Sequence, residues 1–371
     1  MRFLLDAEQR AFAASLDAML ASADTPSAVR AWADGDHAPG LALWSRLAGA
    51  GVFALAVPEA YEGVGPLPVE LAVAFVELGR HAVPGPVVET AAAAALLGEL
   101  SALGEPGPAE RLLPGLASGK SLATLVLPGG RMPTAGAPAP SGGQAPDTTT
   151  APSDGHASAP DPAARSGGHA LDADAAAVSL VVDGDGLRLA SGHGPVRASV
   201  DPARRLARPE GGGELLAAGP QVARAALRAL TWARLATAAQ ALGVGLALLG
   251  RTVEYVGRRT QFGVPVASFQ AVKHRLADAM TALEFARPLL LGAALSMAPA
   301  DVAAAKVRAC EAAYATARAA LQLHGAIGYT AEYDLSLWFT KARALRAAWG
   351  TPAECRAEAL AGLSGGGRPR S

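Results

Sequence analysis

The sequence has few cysteines, few aromatic residues and almost no net charge, and each shortage excludes a class of protein. Two cysteines, Cys310 and Cys355, cannot form a disulfide framework or a cysteine-only zinc site, which fits a reducing cytoplasm. A net charge of −1, from 32 basic and 33 acidic residues, leaves no basic footprint for nucleic acid. Aromatic residues make up only 5% of the chain, so its 51% hydrophobic content rests on alanine, leucine and valine, which favours helices.

Export and membrane signals are also missing. The charged residues Asp6, Glu8 and Arg10 follow the first apolar residues at once and interrupt any signal-peptide core. The most apolar runs, Ala91–Leu97 and Leu242–Leu249, are far shorter than the roughly 20 residues that span a bilayer. The sequence therefore predicts a soluble, cytoplasmic protein that binds neither membrane nor nucleic acid.

The residue pattern predicts an α+β protein with an N-terminal helical domain (1–118), a small middle β domain (119–215) and a C-terminal helical bundle (216–363). A tail, 364–371, follows. Within the β domain, residues 128–170 contain no Leu, Ile, Val, Phe, Tyr or Trp. Such a segment cannot bury enough apolar surface to offset its chain entropy, so it is predicted to be a disordered insertion.

Four long helical runs, 221–258, 269–297, 301–323 and 334–347, are joined by short turns, which is the pattern of an antiparallel four-helix bundle. In the β domain, Ala123–Leu127 and Ala177–Asp183 are predicted strands, and a hairpin is predicted at Asp183-Gly184-Asp185-Gly186. In the N-terminal region, the run Leu67–Leu78 is predicted to end as a helix at Gly79.

Two segments of the bundle carry candidate binding residues. Arg259-Thr260-Gln261-Phe262-Gly263 stands where the long helix ends, and Phe269-Gln270 follows it. The planar fork of an arginine suits a phosphate group, although an arginine that caps helix carbonyls, with Phe262 in the core, is the simpler alternative.

The second segment, Gln322-Leu323-His324-Gly325-Ala326-Ile327-Gly328-Tyr329, is a predicted turn between helices. Small residues there allow a ligand to approach the backbone, and free amides can donate to an anion. A tight helix–helix connection remains the alternative. His324 is predicted to pack rather than to bind metal, because no second ligand stands at metal spacing.

Taken together, these motifs resemble those of the acyl-CoA dehydrogenases, over nearly the whole chain except about 128–170. The motifs that carry the resemblance also include Trp44, Gly51, Val57-Pro58-Glu59, Glu77-Leu78-Gly79-Arg80 and Gly350-Thr351. The resemblance implies an N-terminal α domain, a middle β domain and a C-terminal four-helix bundle. It also implies α,β-dehydrogenation of an acyl-CoA, in which a glutamate removes the α proton and FAD accepts hydride.

In this family the FAD lies across a subunit interface, and one subunit holds the ADP end of its neighbour's cofactor. The matching positions here, implied as cofactor-binding by the resemblance, are Arg259, Gln261, Phe262, Gln270, Gln322, Gly325, Ala326 and Gly328. The family also implies an electron-transfer flavoprotein as the electron acceptor.

The residues expected for proton abstraction are missing from the sequence. The family's glutamate precedes the Gly-Thr pair, where this chain has Trp349, and the alternative base position on the long helix is Ala233. Neither Trp nor Ala can act as a general base. No catalytic residue is therefore assigned, although a base relocated to Glu332 or Glu354 remains an alternative.

The flavin side of the β domain also departs from the family pattern. The family's flavin-contacting loop and Trp-bearing strand are replaced by residues 122–130 and the insertion, and no aromatic residue occurs from Val76 through Thr231 apart from histidines. The losses thus fall at the flavin end of the cofactor, and the retained residues fall at its ADP end.

This sorted pattern is similar to the base-less subunit of heteromeric (α2β2) actinobacterial acyl-CoA dehydrogenases. The leading hypothesis is a non-catalytic partner that supplies ADP-end contacts in trans to a catalytic dehydrogenase subunit, which binds most of the acyl-CoA. The alternatives are a homotetrameric dehydrogenase with a relocated base, a flavin enzyme that needs no such base, and a scaffold or regulatory subunit without FAD. Trp349 is suited to fill the cleft that substrate occupies in active members.

Overall fold

A computed structural model describes residues 4–128 and 168–365 of the chain. Most of the predicted disordered insertion, residues 129–167, lies outside the described residues, as do residues 366–371 of the predicted tail. The described part begins with helices, continues through a small β region and ends in a helical bundle. This order is the one predicted from the sequence.

Six helices form the N-terminal region. They are α1 (Ala7–Ala21), α2 (Thr25–Asp34), α3 (Ala38–Gly49), α4 (Pro68–Arg80), α5 (Val87–Ala102) and α6 (Gly107–Ala117), with short 3₁₀ turns at Val52–Ala56 and Glu59–Tyr61. Asp6 begins α1 with a reciprocal capping box to Gln9. Helix α5 is buried along most of its length and joins the core to the bundle.

The predicted helix end at Gly79 is wrong, because α4 continues to Arg80. Gly79 instead allows α4 to approach the long bundle helix closely. A Cβ at Gly79 would lie 2.0 Å from the Gln240 carbonyl oxygen, and one at Gly243 would lie 1.9 Å from the Val76 carbonyl oxygen. The glycine therefore serves helix packing, which its position in the sequence does not reveal.

The β region contains a four-stranded sheet of order β1-β3-β4-β6 and a separate two-stranded ladder, β2-β5. The strands are β1 (Ala123–Val126), β2 (Ala170–Leu171), β3 (Val178–Asp183), β4 (Gly186–Leu189), β5 (Leu206–Ala207) and β6 (Glu214–Ala218). β1 and β3 are parallel, and β3–β4 is an antiparallel hairpin in which Asp183 pairs with Gly186, as predicted.

The C-terminal end of the predicted insertion needs a correction. Ala170 is fully buried in β2 and pairs with Ala207 of β5. Its small apolar side chain joins a cluster with Val126 and Ala173. The segment that lacks large apolar residues therefore contributes its last residue to a strand.

The bundle consists of α7 (Pro220–Arg258), α8 (Gln270–Ser296), α9 (Pro299–His324) and α10 (Leu335–Ala347). These bounds agree with the four predicted helical runs to within about two residues. α7 and α9 pack along each other at the centre, and α8 and α10 flank them. A two-residue hairpin, β7 (Thr260–Gln261) and β8 (Val264–Pro265), links α7 to α8.

A further helix, α11 (Pro352–Gly365), packs on α9 and was not predicted. Cys355 alone among its described side chains is fully buried, so its sequence shows no apolar stripe. In the described residues one helix, α7, is long and apolar enough to cross a membrane. Its most apolar window is 78% buried inside the protein, which is typical of the core helix of a soluble protein.

Candidate functional site

The predicted ADP-end residues lie at one end of the bundle, where α7 ends and α9 turns into α10. We call this the bundle-end surface and define it as residues 259–270 and 322–329. Arg259 follows the last residue of α7, and its guanidinium donates to the His324 carbonyl oxygen at 3.0 Å and to the Tyr255 hydroxyl. The structure thus brings the two sequence motifs into direct contact. Because His324 is the last residue of α9, Arg259 caps a helix carbonyl, as the simpler alternative for this arginine predicted.

Two stacked aromatic rings lie next to the contact between Arg259 and the His324 carbonyl oxygen. Tyr255 and His324 stack at 4.2 Å between ring centroids, and the imidazole Nδ1 lies 2.8 Å from the Ala320 carbonyl oxygen. Burial lowers the pKa of His324. His324 is therefore a packing residue, as the sequence predicted, and the ring stack fixes the carbonyl that Arg259 binds.

The glycine turn has the backbone geometry that its sequence suggested. Gly325 adopts φ +66°, a left-handed conformation that disfavours other residues, and the turn continues as a 3₁₀ segment, Gly325–Tyr329. Gly328 is buried, and a Cβ there would lie 3.0 Å from the Leu321 side chain. Ala326 and Ile327 are exposed between them, so the outer face of the turn presents one small and one larger apolar side chain.

Exposed apolar side chains surround this turn. Phe262 is 92% exposed, at the tip of the β7–β8 hairpin with φ +54°, and it contacts Phe269 edge-on at 6.3 Å. Tyr329 is 75% exposed. The alternative in which Phe262 belongs to the core is wrong, because hairpin β7–β8 holds it outward. An uncovered aromatic on a strained backbone is typical of a contact surface.

The remaining predicted residues of the surface are also exposed. Gln261 lies on β7, Gln270 is the first residue of α8, and Gln322 lies on the last turn of α9. The side-chain oxygen of Gln322 accepts a hydrogen bond from Arg275 of α8. Arg275 was missed from the sequence, although it stands five residues after Gln270 on the same helix.

The position of the expected base lies in a different place, between α5, the β region and the bundle. Trp349 occupies it with φ +58°, and its indole Nε1 donates to the Glu89 carboxylate at 3.2 Å. Arg234 donates to the Trp349 carbonyl oxygen at 3.0 Å, and Lys306 donates to the Gly350 carbonyl oxygen at 2.7 Å. Two buried cations thus hold the loop in place although it carries no carboxylate.

A network of buried charged groups fills the surroundings of Trp349; we call this region the closed cleft. Its members are Glu89 on α5, Asp172, Asp201 and Arg204 in the β region, and Lys341 on α10. Lys341 Nζ lies 3.7 Å from an Asp201 carboxylate oxygen and donates to the Val83 carbonyl oxygen at 3.2 Å. The network links three parts of the fold across the cleft.

Burial dominates the electrostatics of the closed cleft. It raises the pKa of Glu89, raises the pKa of Asp172 to about 7, and lowers the pKa of the Lys341 ammonium. One carboxylate oxygen on each of Glu89, Asp172 and Asp201 has no hydrogen-bond partner among the described residues. The cleft is thus densely charged, and Arg204 and Lys341 lie close enough to Glu89 and Asp201 to form ion pairs.

Neither relocated base suggested by the sequence lies in this cleft. Glu354 accepts hydrogen bonds from the Thr351 amide at 2.7 Å and the Thr351 hydroxyl at 2.9 Å, and these bonds lower its pKa. It therefore caps the start of α11. Glu332 is exposed, next to the Arg30–Asp334 ion pair. Glu89, which the sequence analysis missed, is the carboxylate that contacts the base position.

Comparison with known proteins identifies the family of this chain. The model of the acyl-CoA dehydrogenase N-terminal domain matches residues 6–120, and that of the C-terminal domain matches residues 223–359. The chain belongs to the acyl-CoA dehydrogenase family. It is 32% identical over 319 residues to acyl-CoA dehydrogenase IpdE2 of Mycobacterium tuberculosis, covering 85% of both chains. Members of this family are FAD-dependent oxidoreductases of lipid metabolism.

Solved structures share the fold over essentially the full chain. A chain of the ChsE4-ChsE5 complex from Mycobacterium tuberculosis aligns with TM-score 0.74 and 23% identity, covering 100% of both chains. A glutaryl-CoA dehydrogenase from Mycobacterium smegmatis, in complex with FADH2, aligns with TM-score 0.70 and 20% identity, covering 99% of this chain and 97% of the other. The acyl-CoA dehydrogenase architecture expected from the motifs is confirmed.

The bundle-end surface and the closed cleft differ in how well their residues suit FAD. At the bundle-end surface, the guanidinium groups of Arg259 and Arg275 suit a diphosphate, and the exposed ring of Phe262 offers an apolar face for an adenosine. In the closed cleft, Trp349 occupies the base position and cannot accept a proton, and the carboxylate that contacts it, Glu89, accepts its indole N–H. The chemistry of the residues therefore fits the ADP end and not the reacting end.

Proposed function

We propose that this chain is the non-catalytic subunit of a heteromeric, FAD-dependent acyl-CoA dehydrogenase in the cytoplasm. Its bundle-end surface contacts the ADP end of FAD that is held mainly by a catalytic subunit. That subunit supplies the glutamate base and binds the acyl-CoA, and FAD, when bound, accepts the hydride of α,β-dehydrogenation. An electron-transfer flavoprotein then takes up the electrons.

One observation carries this proposal: the catalytic base is replaced, whereas the residues of the ADP-end motif are present and in contact with one another. Trp349 occupies the position of the base and is bonded to Glu89 inside a closed cleft. Arg259 and the Gly325 turn, in contrast, are held together by the bond to the His324 carbonyl oxygen, and Phe262 of the same surface is 92% exposed. A chain with no use for FAD has no physical need for this assembled surface.

The likeness to a chain of the ChsE4-ChsE5 complex supports a heteromeric assembly for this chain. Because each heterodimer would then complete one such site, we expect one FAD per heterodimer. Exposure of Phe262 and Tyr329 supports the same conclusion, since covering them in an interface removes apolar surface from water. In this arrangement Arg259 neutralises diphosphate charge across the subunit boundary.

A second candidate function is a stand-alone dehydrogenase that uses Glu89 as its base. The observation that favours it is the buried Glu89 carboxylate at the Trp349 indole, with a pKa raised by burial. A carboxylate pKa that is raised by burial is common among general bases. Against it stands the burial of Glu89, which is only 3% exposed.

Activity of the isolated and paired chains tests the proposal. Alone, this chain is expected to leave an electron-accepting dye oxidised in the presence of acyl-CoA. Co-expression with an acyl-CoA dehydrogenase chain encoded beside it, which retains the glutamate before its Gly-Thr pair, is expected to give acyl-CoA-dependent dye reduction. Activity is expected only for the pair, because this chain lacks the catalytic base and the other chain lacks the contacts to the ADP end of FAD.

The variant Glu89→Gln separates the two candidates. In the paired enzyme it is expected to leave the turnover number within about twofold, because the base belongs to the other subunit. A loss of 100-fold or more would instead assign the base to Glu89, since removal of a general base typically costs 10²–10⁴-fold. Dye reduction by this chain alone would contradict the non-catalytic role.

A further inference from the structure

A third group of ionisable side chains lies where α1 packs against α4. Asp17 on α1, Glu77 on α4 and His81 just after α4 bring one possible ligand atom each to within 4.8 Å of the others. Glu77 and His81 are four residues apart, so their side chains share one helix face. The proposed function makes no use of any of the three.

Glu77 is the member that points to a missing ligand. Its residue is only 9% exposed, and its Oε2 atom accepts no hydrogen bond from the described residues. That oxygen forms an ion pair with the Arg80 Nε atom at 3.6 Å, which is beyond hydrogen-bonding distance, and the Nε atom likewise has no hydrogen-bond partner among the described residues. A buried carboxylate oxygen without a hydrogen bond is costly unless a further group reaches it.

Asp17 and His81 complete the donor set. His81 Nε2 and Asp17 Oδ1 are 2.8 Å apart, which is close to the separation of about 3 Å between neighbouring ligands on one metal ion. The His81 side chain is largely buried, whereas that of Asp17 is 50% exposed. A bound ion would therefore have three protein ligands and at least one position open to water.

We propose that Asp17, Glu77 and His81 form a binding site for a divalent metal ion of the zinc type, which ties α1 to α4. One imidazole nitrogen and two carboxylates are a ligand set that zinc accepts at 2.0–2.2 Å. The three ligand atoms lie within 4.8 Å of one another, so side-chain rotations would bring them to one shared ion. The two carboxylates balance the charge of the ion.

Charges of both signs surround the site. Burial raises the pKa of Glu77 to about 7, Asp17 acts in the same direction, and Arg80 and Arg287 act against both. A buried carboxylate in this setting favours a partner that supplies positive charge.

Zinc binding to the full-length chain tests the site. After treatment with a chelator, the wild-type chain is titrated with ZnCl₂ in a calorimeter, and bound zinc is measured by mass spectrometry. We expect one zinc ion per chain and a rise in melting temperature on addition of zinc. Asp17→Asn and His81→Ala are each expected to weaken binding at least tenfold and to abolish the rise.

His193→Ala provides the matched control, because this histidine lies in the β region, where its imidazole Nδ1 is 2.8 Å from the Gly194 carbonyl oxygen. It is expected to bind zinc like the wild type. Less than a tenth of an ion per wild-type chain, or equal zinc uptake by the wild type and by Asp17→Asn and His81→Ala, would overturn the proposal. The cluster would then be an ordinary ion-pair network. Neither result bears on the proposed function, since flavin content is measured separately.

Discussion

Replacing Arg259 with alanine is expected to weaken FAD binding by the assembled heteromer by roughly 30- to 150-fold. Charge-assisted hydrogen bonds from a guanidinium to phosphate contribute about 2–3 kcal/mol, and each 1.4 kcal/mol corresponds to a factor of ten in affinity. The substitution also frees the His324 carbonyl oxygen, which Arg259 holds at 3.0 Å. The measurement is FAD retained per heterodimer after gel filtration at micromolar concentration.

Arg258→Ala is the matched control for this experiment. Arg258 is the preceding residue and is largely exposed, and it pairs with Glu254 one helix turn earlier on the same helix. Its loss removes an equal charge from the same region without touching the glycine turn. Flavin content is expected to stay near the wild-type value. Equal losses in the two variants would show a general charge effect and would contradict the role given to Arg259.

Replacing Lys341 with methionine is expected to lower the free energy of unfolding by about 3 kcal/mol at neutral pH. The substitution leaves the Asp201 carboxylate, which is 1% exposed, without its ion-pair partner 3.7 Å away. It also removes the donor to the Val83 carbonyl oxygen. Urea unfolding monitored by circular dichroism measures the loss.

The double variant Lys341→Met, Asp201→Asn separates ion pairing from packing. Most of the lost stability is expected to return, because a buried pair replaced on both sides leaves no uncompensated charge. Lys120→Met, at an exposed lysine, is the control and is expected to change stability by less than about 0.5 kcal/mol. If Lys341→Met matched this control, the closed cleft would not be held by buried charge.

Much of the fold follows from local sequence patterns. The four bundle helices are long and carry no internal proline except Pro288 of α8. Glycine or proline residues separate them, so the ends of the helices can be predicted from the sequence. The β3–β4 hairpin follows from its Asp-Gly pair. Helix α11 could not be predicted in this way, because it rests on α9 through Cys355 rather than through a repeating apolar face.

The contacts of the candidate site were less predictable than its motifs. Arg259 and the Gly325 turn were visible because short motifs carry them, but Arg275 reaches Gln322 only through the packing of α8 on α9. The pair formed by Trp349 and Glu89 spans 260 positions of the chain. Glu89 did leave a signal, since it is the only charged residue between Val83 and Gly98. A lone charge in an apolar run indicates a buried polar contact.

The division of one cofactor site between two different chains is the central claim. Flavin absorbance at 450 nm per chain, combined with native mass, tests it most directly on the single chain and on the co-expressed pair. The account predicts a colourless single chain and a yellow heteromer with one FAD per heterodimer. A single chain that purifies yellow as a homotetramer, with one FAD per subunit, would contradict it.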